Sequence, residues 1–170
     1  MSVKKAHDSY GHAFFLTFSC YKRRRILDED IPKEIVLTIL SSQLDNQNGA
    51  CNGFVLMPDH IHAMIHLPAP NQLSLFMKQW KQRSSFKIKQ NLREHRRRYL
   101  QKVGDNDPVW QAGYYSFNVY SARKAQEKLD YMRANPVRAG LAARPEEWRF
   151  SSARYYYSGS DVGVPIQRLV

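Results

Sequence analysis

The sequence predicts an α+β fold: a ferredoxin-like sandwich with a central antiparallel sheet, plus an added C-terminal helix. Three observations carry this expectation. Strand-like and helix-like segments follow in the order strand–helix–strand–strand–helix–strand. The second and third strands are joined only by Pro58-Asp59, a connection short enough for a hairpin. One more helical segment follows the last strand. The 170 residues suit one domain, with a core over about 12–154 and a tail over 155–170.

Each element has a local reason. His12–Tyr21 is rich in aromatics and reads as a strand, ending in Lys22-Arg23-Arg24-Arg25. Ile31–Gln47 carries apolar residues at Ile35, Leu37, Ile39, Leu40 and Leu44. Pro32 stands near its start and Asn48-Gly49 closes it, as in a helix. Cys51–Met57 and His60–Leu67 are the hairpin strands. Ser74–Tyr99 reads as one long polar helix, with Leu75, Phe76, Trp80, Phe86, Ile88 and Leu92 as its buried residues. Gly104–Pro108 is a loop, and Val109–Tyr120 a fourth, aromatic strand. Ser121 caps a helix over Ala122–Ala134, which Pro136 is expected to end at Asn135.

Composition narrows the function. Apolar residues make up 43% and charged residues 24%, the balance of a globular protein. The net charge is +11, an excess that favours a polyanionic partner. There is no run of eighteen apolar residues to span a membrane, and residues 1–12 lack the apolar stretch of a signal peptide. A cytoplasmic, nucleic-acid-binding protein is expected. Cys20 and Cys51 are too few and too far apart for a disulfide scaffold or a zinc knuckle.

Along the third strand, alternation puts His60, His62, Met64 and His66 on one face and Ile61, Ala63, Ile65 and Leu67 on the other. The apolar set is the one the helices would cover, which leaves the histidines on an open face. Imidazoles two residues apart stand roughly 6–7 Å apart at their backbones and can converge on one metal ion. Alone, such a pair is more often a hydrogen-bonded surface pair than a metal site. His7, His12 and His95 have no such geometry. In the last helix, Tyr131 and Asn135 share a face, with Lys124 and Lys128 in the preceding turns.

Over 78–102 the cations Lys78, Lys81, Arg83, Lys87, Lys89, Arg93, Arg96, Arg97, Arg98 and Lys102 face a single acid, Glu94. A charge run of this kind is either a solvated face or a phosphate-contacting one. Arg23, Arg24 and Arg25 extend the candidate DNA surface. Tyr114, Tyr115 and Phe117 suit either base stacking or core packing.

Met57-Pro58-Asp59-His60-Ile61-His62 resembles the signature of the HUH single-tyrosine transposases. Trp110-Gln111, the stretch from Asp130-Tyr131 through Asn135-Pro136-Val137 to Leu141, and Trp148-Arg149-Phe150-Ser151-Ser152-Ala153 resemble the REP-associated tyrosine transposases (RAYTs) within that group. The likeness runs from about Phe14 to Arg154. It implies a ferredoxin-like core and a Tyr131 nucleophile. It also implies a divalent metal, Mg²⁺ or Mn²⁺, held by His60, His62 and Asn135, where insertion-sequence relatives often place Gln. The implied activity is cleavage and rejoining of single-stranded hairpin DNA, of the REP-palindrome kind, through a 5′-phosphotyrosine. The alternatives are a non-catalytic, domesticated hairpin-binding regulator and a replication-initiator relaxase, the latter usually a larger protein. Tyr131 can complete its own site or that of a second subunit in a homodimer.

Overall fold

The computed structural model describes residues 12–169, apart from the side chains of His12, Lys102 and Val103. Expectations that concern His7 and the first eleven residues lie outside the described part. Four strands form one antiparallel sheet: β1 (His12–Ser19), β2 (Ala50–Leu56), β3 (His60–Leu67) and β4 (Tyr115–Val119), in the spatial order β2-β3-β1-β4. The long helices are α1 (Asp30–Asn46), α2 (Leu73–His95) and α4 (Ala122–Arg138), with shorter α3 (Arg97–Val103) and α5 (Ala153–Ser158). Strand order and connectivity are those of the ferredoxin-like sandwich.

The alternation of each strand divides the core in two. Phe14, Leu16 and Phe18 of β1 and Ile61, Ala63 and Ile65 of β3 point toward α1 and α2. There they pack with Val36, Leu40, Phe76, Trp80 and Ile88. Ala13 and Phe15 of β1, Val55 of β2 and Met64 of β3 point the other way and meet Ala125, Leu129 and Met132 of α4. Register pairs Thr17 with His62 and Ser19 with His60, so two polar positions of β1 lie beside the two histidines.

Several elements depart from the sequence expectation. The helix expected over Ser74–Tyr99 breaks at Arg96 (φ −141°, ψ 44°) and restarts as α3. The break lets Arg96 reach Glu29 (2.6 Å), Tyr99 donate its hydroxyl to Arg25 O (2.9 Å) and Leu100 enter the core. Leu75 and Phe86, expected to be buried, are 55% and 66% exposed, because α2 buries a narrower stripe. Strand β4 is shorter than expected. Trp110 only bridges to Cys20, and Gly113 (φ 75°) turns the chain before Tyr115.

Helix α4 does not stop at Asn135. It runs through Pro136 to Arg138, with Ala139 N–H donating to Asn135 O (3.0 Å) and Leu141 N–H to Pro136 O (2.9 Å). Pro136 is buried, so tertiary packing overrides the local penalty. The Ser121 cap forms as expected, accepting from Lys124 N–H at 3.2 Å. Past α4 the chain returns along the outer edge of β2. Ser151 bridges to Val55, Ile166 bridges to Cys51, and Gln167 N–H donates to Cys51 O at 2.8 Å.

Candidate active site

On the α4 side, β3 delivers His60 and His62 and α4 delivers Tyr131. The His60 and His62 rings are edge to face with centroids 4.9 Å apart, and the Tyr131 ring stands edge-on to His62 at 5.3 Å. One chain therefore brings tyrosine and histidines together without a second subunit. This histidine face is not open, as alternation alone suggested: His62 is only 5% exposed, stacked on Phe15 at 5.5 Å. The apolar residues of α4 cover the strand at Met64, and His62 is enclosed with it. Tyr131, at the rim, remains 44% exposed.

Each imidazole has its Nδ1 committed. His60 Nδ1–H donates to Asp59 Oδ1 at 2.6 Å, and His62 Nδ1 shares a 2.7 Å hydrogen bond with Thr17 Oγ1. The His60 tautomer is fixed by this bond, because a carboxylate only accepts. Asp59 is held in turn by Arg23 Nε at 3.0 Å, and Arg23 Nη1 donates to Ser19 Oγ at 2.8 Å. Lys22 and Arg23 adopt left-handed backbone (φ 52° and 55°), a conformation that disfavours side chains with a Cβ.

His62 Nε2 is buried and has no hydrogen-bond partner among the described residues. Burial, with neighbouring His60, Arg23, Lys128 and Arg138, lowers its pKa from 6.5 to about 3. The ring is therefore neutral at physiological pH. In the tautomer whose Nδ1–H donates to Thr17 Oγ1, the Nε2 lone pair is left for a cation, the arrangement found where a histidine ligates a metal. Asn135 lies one turn beyond Tyr131, and its Nδ2 is also buried without a partner. No cluster of three His, Cys, Asp or Glu side chains that could hold a metal occurs among the described residues. The available ligand atoms are the two imidazole Nε2 atoms and Asn135 Oδ1, a chemistry that suits a cation completing its shell with substrate oxygens, whereas the unpaired Asn135 Nδ2 donates and does not ligate.

Cations surround the tyrosine. The Arg138 guanidinium lies over the Tyr131 ring at 4.9 Å and donates to Tyr131 O at 3.2 Å. Lys128 Nζ lies between Phe15 (4.9 Å) and Phe117 (4.8 Å), on the same side of the sheet. Lys124 is turned to Glu127 (2.9 Å).

The other candidate DNA-contacting residues divide by what holds them. Arg24 pairs with Asp107 (2.7 Å), Arg25 with Asp28 (2.8 Å), Arg93 with Asp105 (3.1 Å) and Arg96 with Glu29 (2.6 Å). Lys81 donates to Gln111 O (2.8 Å) and Gly113 O (2.6 Å). Lys78, Lys87, Arg97 and Arg98 are exposed and have no ion pair or hydrogen bond among the described residues. None of the α2 cations shares the tyrosine's face, since α2 packs on the opposite side of the sheet.

Sequence reasoning did not single out Thr17, Phe15 or Arg138, and read Asp59 as part of a turn and of the motif before His60, with no role of its own. Thr17 carried a signal: it is a polar residue within the apolar run Ala13–Phe18, at the position that pairs with His62.

The sequence model of the family described as "Transposase IS200 like" matches residues 8–135. A solved structure of a REP-associated tyrosine transposase bound to a REP hairpin superposes with a TM-score of 0.70 at 18% identity. It covers 100% of this chain and 99% of that one. A putative transposase from Deinococcus radiodurans R1 superposes with a TM-score of 0.53 at 17% identity, over 76% of this chain and 95% of that one. No curated protein matches the chain.

Proposed function

We propose that this chain, which belongs to the IS200-like transposase family, cuts and rejoins single-stranded hairpin DNA of the REP-palindrome kind through Tyr131. The observation that carries the reading is the pairing of an exposed tyrosine with a buried, neutral imidazole 5.3 Å away whose Nε2 has no partner. Likeness in fold to a transposase bound to a REP hairpin supports the choice of substrate.

His60, His62 and Asn135 would hold Mg²⁺ or Mn²⁺. Such an ion, when bound, neutralises charge on a non-bridging phosphate oxygen. The chain's own residues supply the rest. Asp59 and Thr17 keep both Nδ1 atoms occupied, so each ring offers only Nε2 to the site. Arg138 and Lys128 contribute positive charge where a phosphate would approach the tyrosine. Tyr131 Oη forms the bond to phosphorus and loses its proton. The 3′ oxygen leaves and takes up a proton, giving a 5′-phosphotyrosine and a free 3′-OH. The phosphodiester energy is kept in the covalent link, so the 3′-OH of another strand can reverse the step without ATP.

The test is a denaturing gel of labelled single-stranded hairpin DNA incubated with the protein and Mn²⁺. A protein-linked band is expected with wild type and with Tyr156→Phe, and none with Tyr131→Phe. An adduct that survives Tyr131→Phe assigns the wrong nucleophile. Hairpin binding without any wild-type adduct favours the non-catalytic regulator.

A further inference from the structure

We infer that the outer face of α2, across the sheet from Tyr131, is a second binding surface for single-stranded nucleic acid, built around Phe86. The inference rests on the reading of the chain as a DNA-processing protein, and adds a site that this reading does not require.

Phe86 is 66% exposed on a helix whose Phe76, Trp80, Ile88 and Leu92 are buried; Leu75, near the start of the helix, is its other exposed large apolar residue among those described. Its ring stands between two hollows. One, of about 440 Å³, is lined by Lys81, Ser85, Lys89, Arg93, Pro108 and Trp110 as well as Phe86. The other, of about 360 Å³, is lined by Ile39, Gln82, Arg83 and Lys87 as well as Phe86. An aromatic ring with a cationic hollow on each side is the pattern of a stacking platform. A base lies on the ring, and the flanking phosphates meet Lys and Arg.

The charges are available to such a ligand in different degrees. Lys87 is free of partners among the described residues. Lys81 and Lys89 are bonded to neutral backbone carbonyls, and burial lowers the Lys81 pKa from its ordinary value. Arg83 is bonded to the neutral amide of Gln43. Only Arg93 is offset, by Asp105 at 3.1 Å. The one acid lining the adjoining groove, Glu34, is occupied by Arg149 at 2.8 Å. This balance favours a polyanion over an apolar protein partner, and an exposed ring favours unpaired bases over a duplex, whose bases are already stacked.

Position gives the surface a use. The sheet separates Phe86 from Tyr131, because α2 packs with Phe18 and Ile61 while α4 packs with Phe15 and Met64. A strand held at Phe86 is therefore not the segment being cut. Rejoining needs a second strand held near the first, and a platform on the far face retains one without blocking the tyrosine.

The test uses full-length protein, without divalent metal, and a fluorescent oligothymidylate, which forms no hairpin. Fluorescence anisotropy should show Phe86→Ala binding about tenfold more weakly than wild type. Phe86→Tyr should be close to wild type, and Lys87→Ala should bind with a shallower salt dependence. Phe86 is exposed, so none of these changes removes core packing. An oligomer carrying photoreactive 5-iodouracil should cross-link to the peptide that contains Phe86. Equal affinity of Phe86→Ala and wild type, or cross-links confined to residues 114–138, overturns the proposal. A change in oligomeric state with unchanged DNA affinity also overturns it, by making Phe86 a protein contact. Adduct formation on hairpin DNA should persist in Phe86→Ala. Its loss in wild type would instead refute the tyrosine reading, a result the anisotropy does not depend on.

Discussion

On the α1–α2 side of the sheet, Trp80 is fully buried and its indole N–H donates to Val36 O at 3.1 Å. On the α4 side, His62 is almost as deep, yet its Nε2 has no hydrogen-bond partner among the described residues. The same strands build both faces. One is a large apolar cluster in which Trp80 and Ser84 are hydrogen-bonded, with Asn118 Oδ1 at its β4 edge left unpaired among the described residues. The other is thinner and carries orphaned atoms at His62 and Asn135. Buried polar groups are costly when unpaired, so the first face serves stability and the second gives up stability for a site.

The largest effect should come from breaking the apolar α1–α2 face. Trp80→Ala leaves a cavity beside Phe18 and Phe76 and removes the bond to Val36. It should cost about 3–5 kcal/mol in chemical denaturation. Tyr131→Phe, at the rim of the other face, should stay within about 0.5 kcal/mol of wild type. Equal losses at the two positions would refute the division of labour.

The next test bears on how α4 is seated. A Cβ at Gly53 would lie 2.5 Å from Leu129 Cδ2 and 3.2 Å from Met132 Cε. These α4 residues flank Tyr131. Gly53→Ala should therefore destabilise by about 1–3 kcal/mol and reduce adduct formation by more than that loss explains. Leu129→Ala, added to Gly53→Ala, makes room for the methyl and should recover part of the adduct. A double variant no better than Gly53→Ala would mean that Leu129 does not set the helix height.

How far the sequence reached differs between the faces in the same way. The element order, the hairpin and the side of β3 that carries the histidines follow from period-2 alternation and turn residues, which are local. The closing of α4 over His62 does not, because Gly53 and Leu129 are distant in sequence and meet only in the fold. The break at Arg96 depends on Glu29 and on the loop near Arg25, and the run of α4 through Pro136 on the burial of its ring. Phe86 looked like core because its spacing is helical, but periodicity does not report the width of the buried stripe. Thr17 was legible in principle, as one hydroxyl within an apolar strand.

Acid should unbalance the polar face of the metal-free protein. His62 has a folded pKa of about 3 against 6.5 in an unfolded chain. Between these values the unfolded state binds the extra proton. Stability from this group is therefore full above about pH 6.5 and is lost as pH falls toward 3, with a slope of up to about 1.4 kcal/mol per pH unit. His62→Asn should flatten that part of the stability profile in the presence of a chelator. A slope unchanged by the substitution would place the proton elsewhere.

The smallest stability effects should come from the arginines after α2, and they separate charge from structure. Arg96 is paired with Glu29 on the surface, and such pairs contribute about 0–1 kcal/mol. Arg97 and Arg98 have no partner among the described residues, so replacing them should change stability by less than about 0.5 kcal/mol. Their charge is nevertheless available to phosphates. The logarithm of DNA affinity against the logarithm of salt should lose about 0.7 of slope per contacted phosphate of a single strand. Arg97→Ala with Arg98→Ala should therefore flatten the salt dependence while leaving the preferred hairpin unchanged, because phosphate contacts position rather than specify. Arg96→Ala alone should have little influence on the slope, since Glu29 already neutralises it. A double variant with the wild-type slope would make this segment a solvated surface and confine the DNA contacts to residues nearer Phe86 and Tyr131.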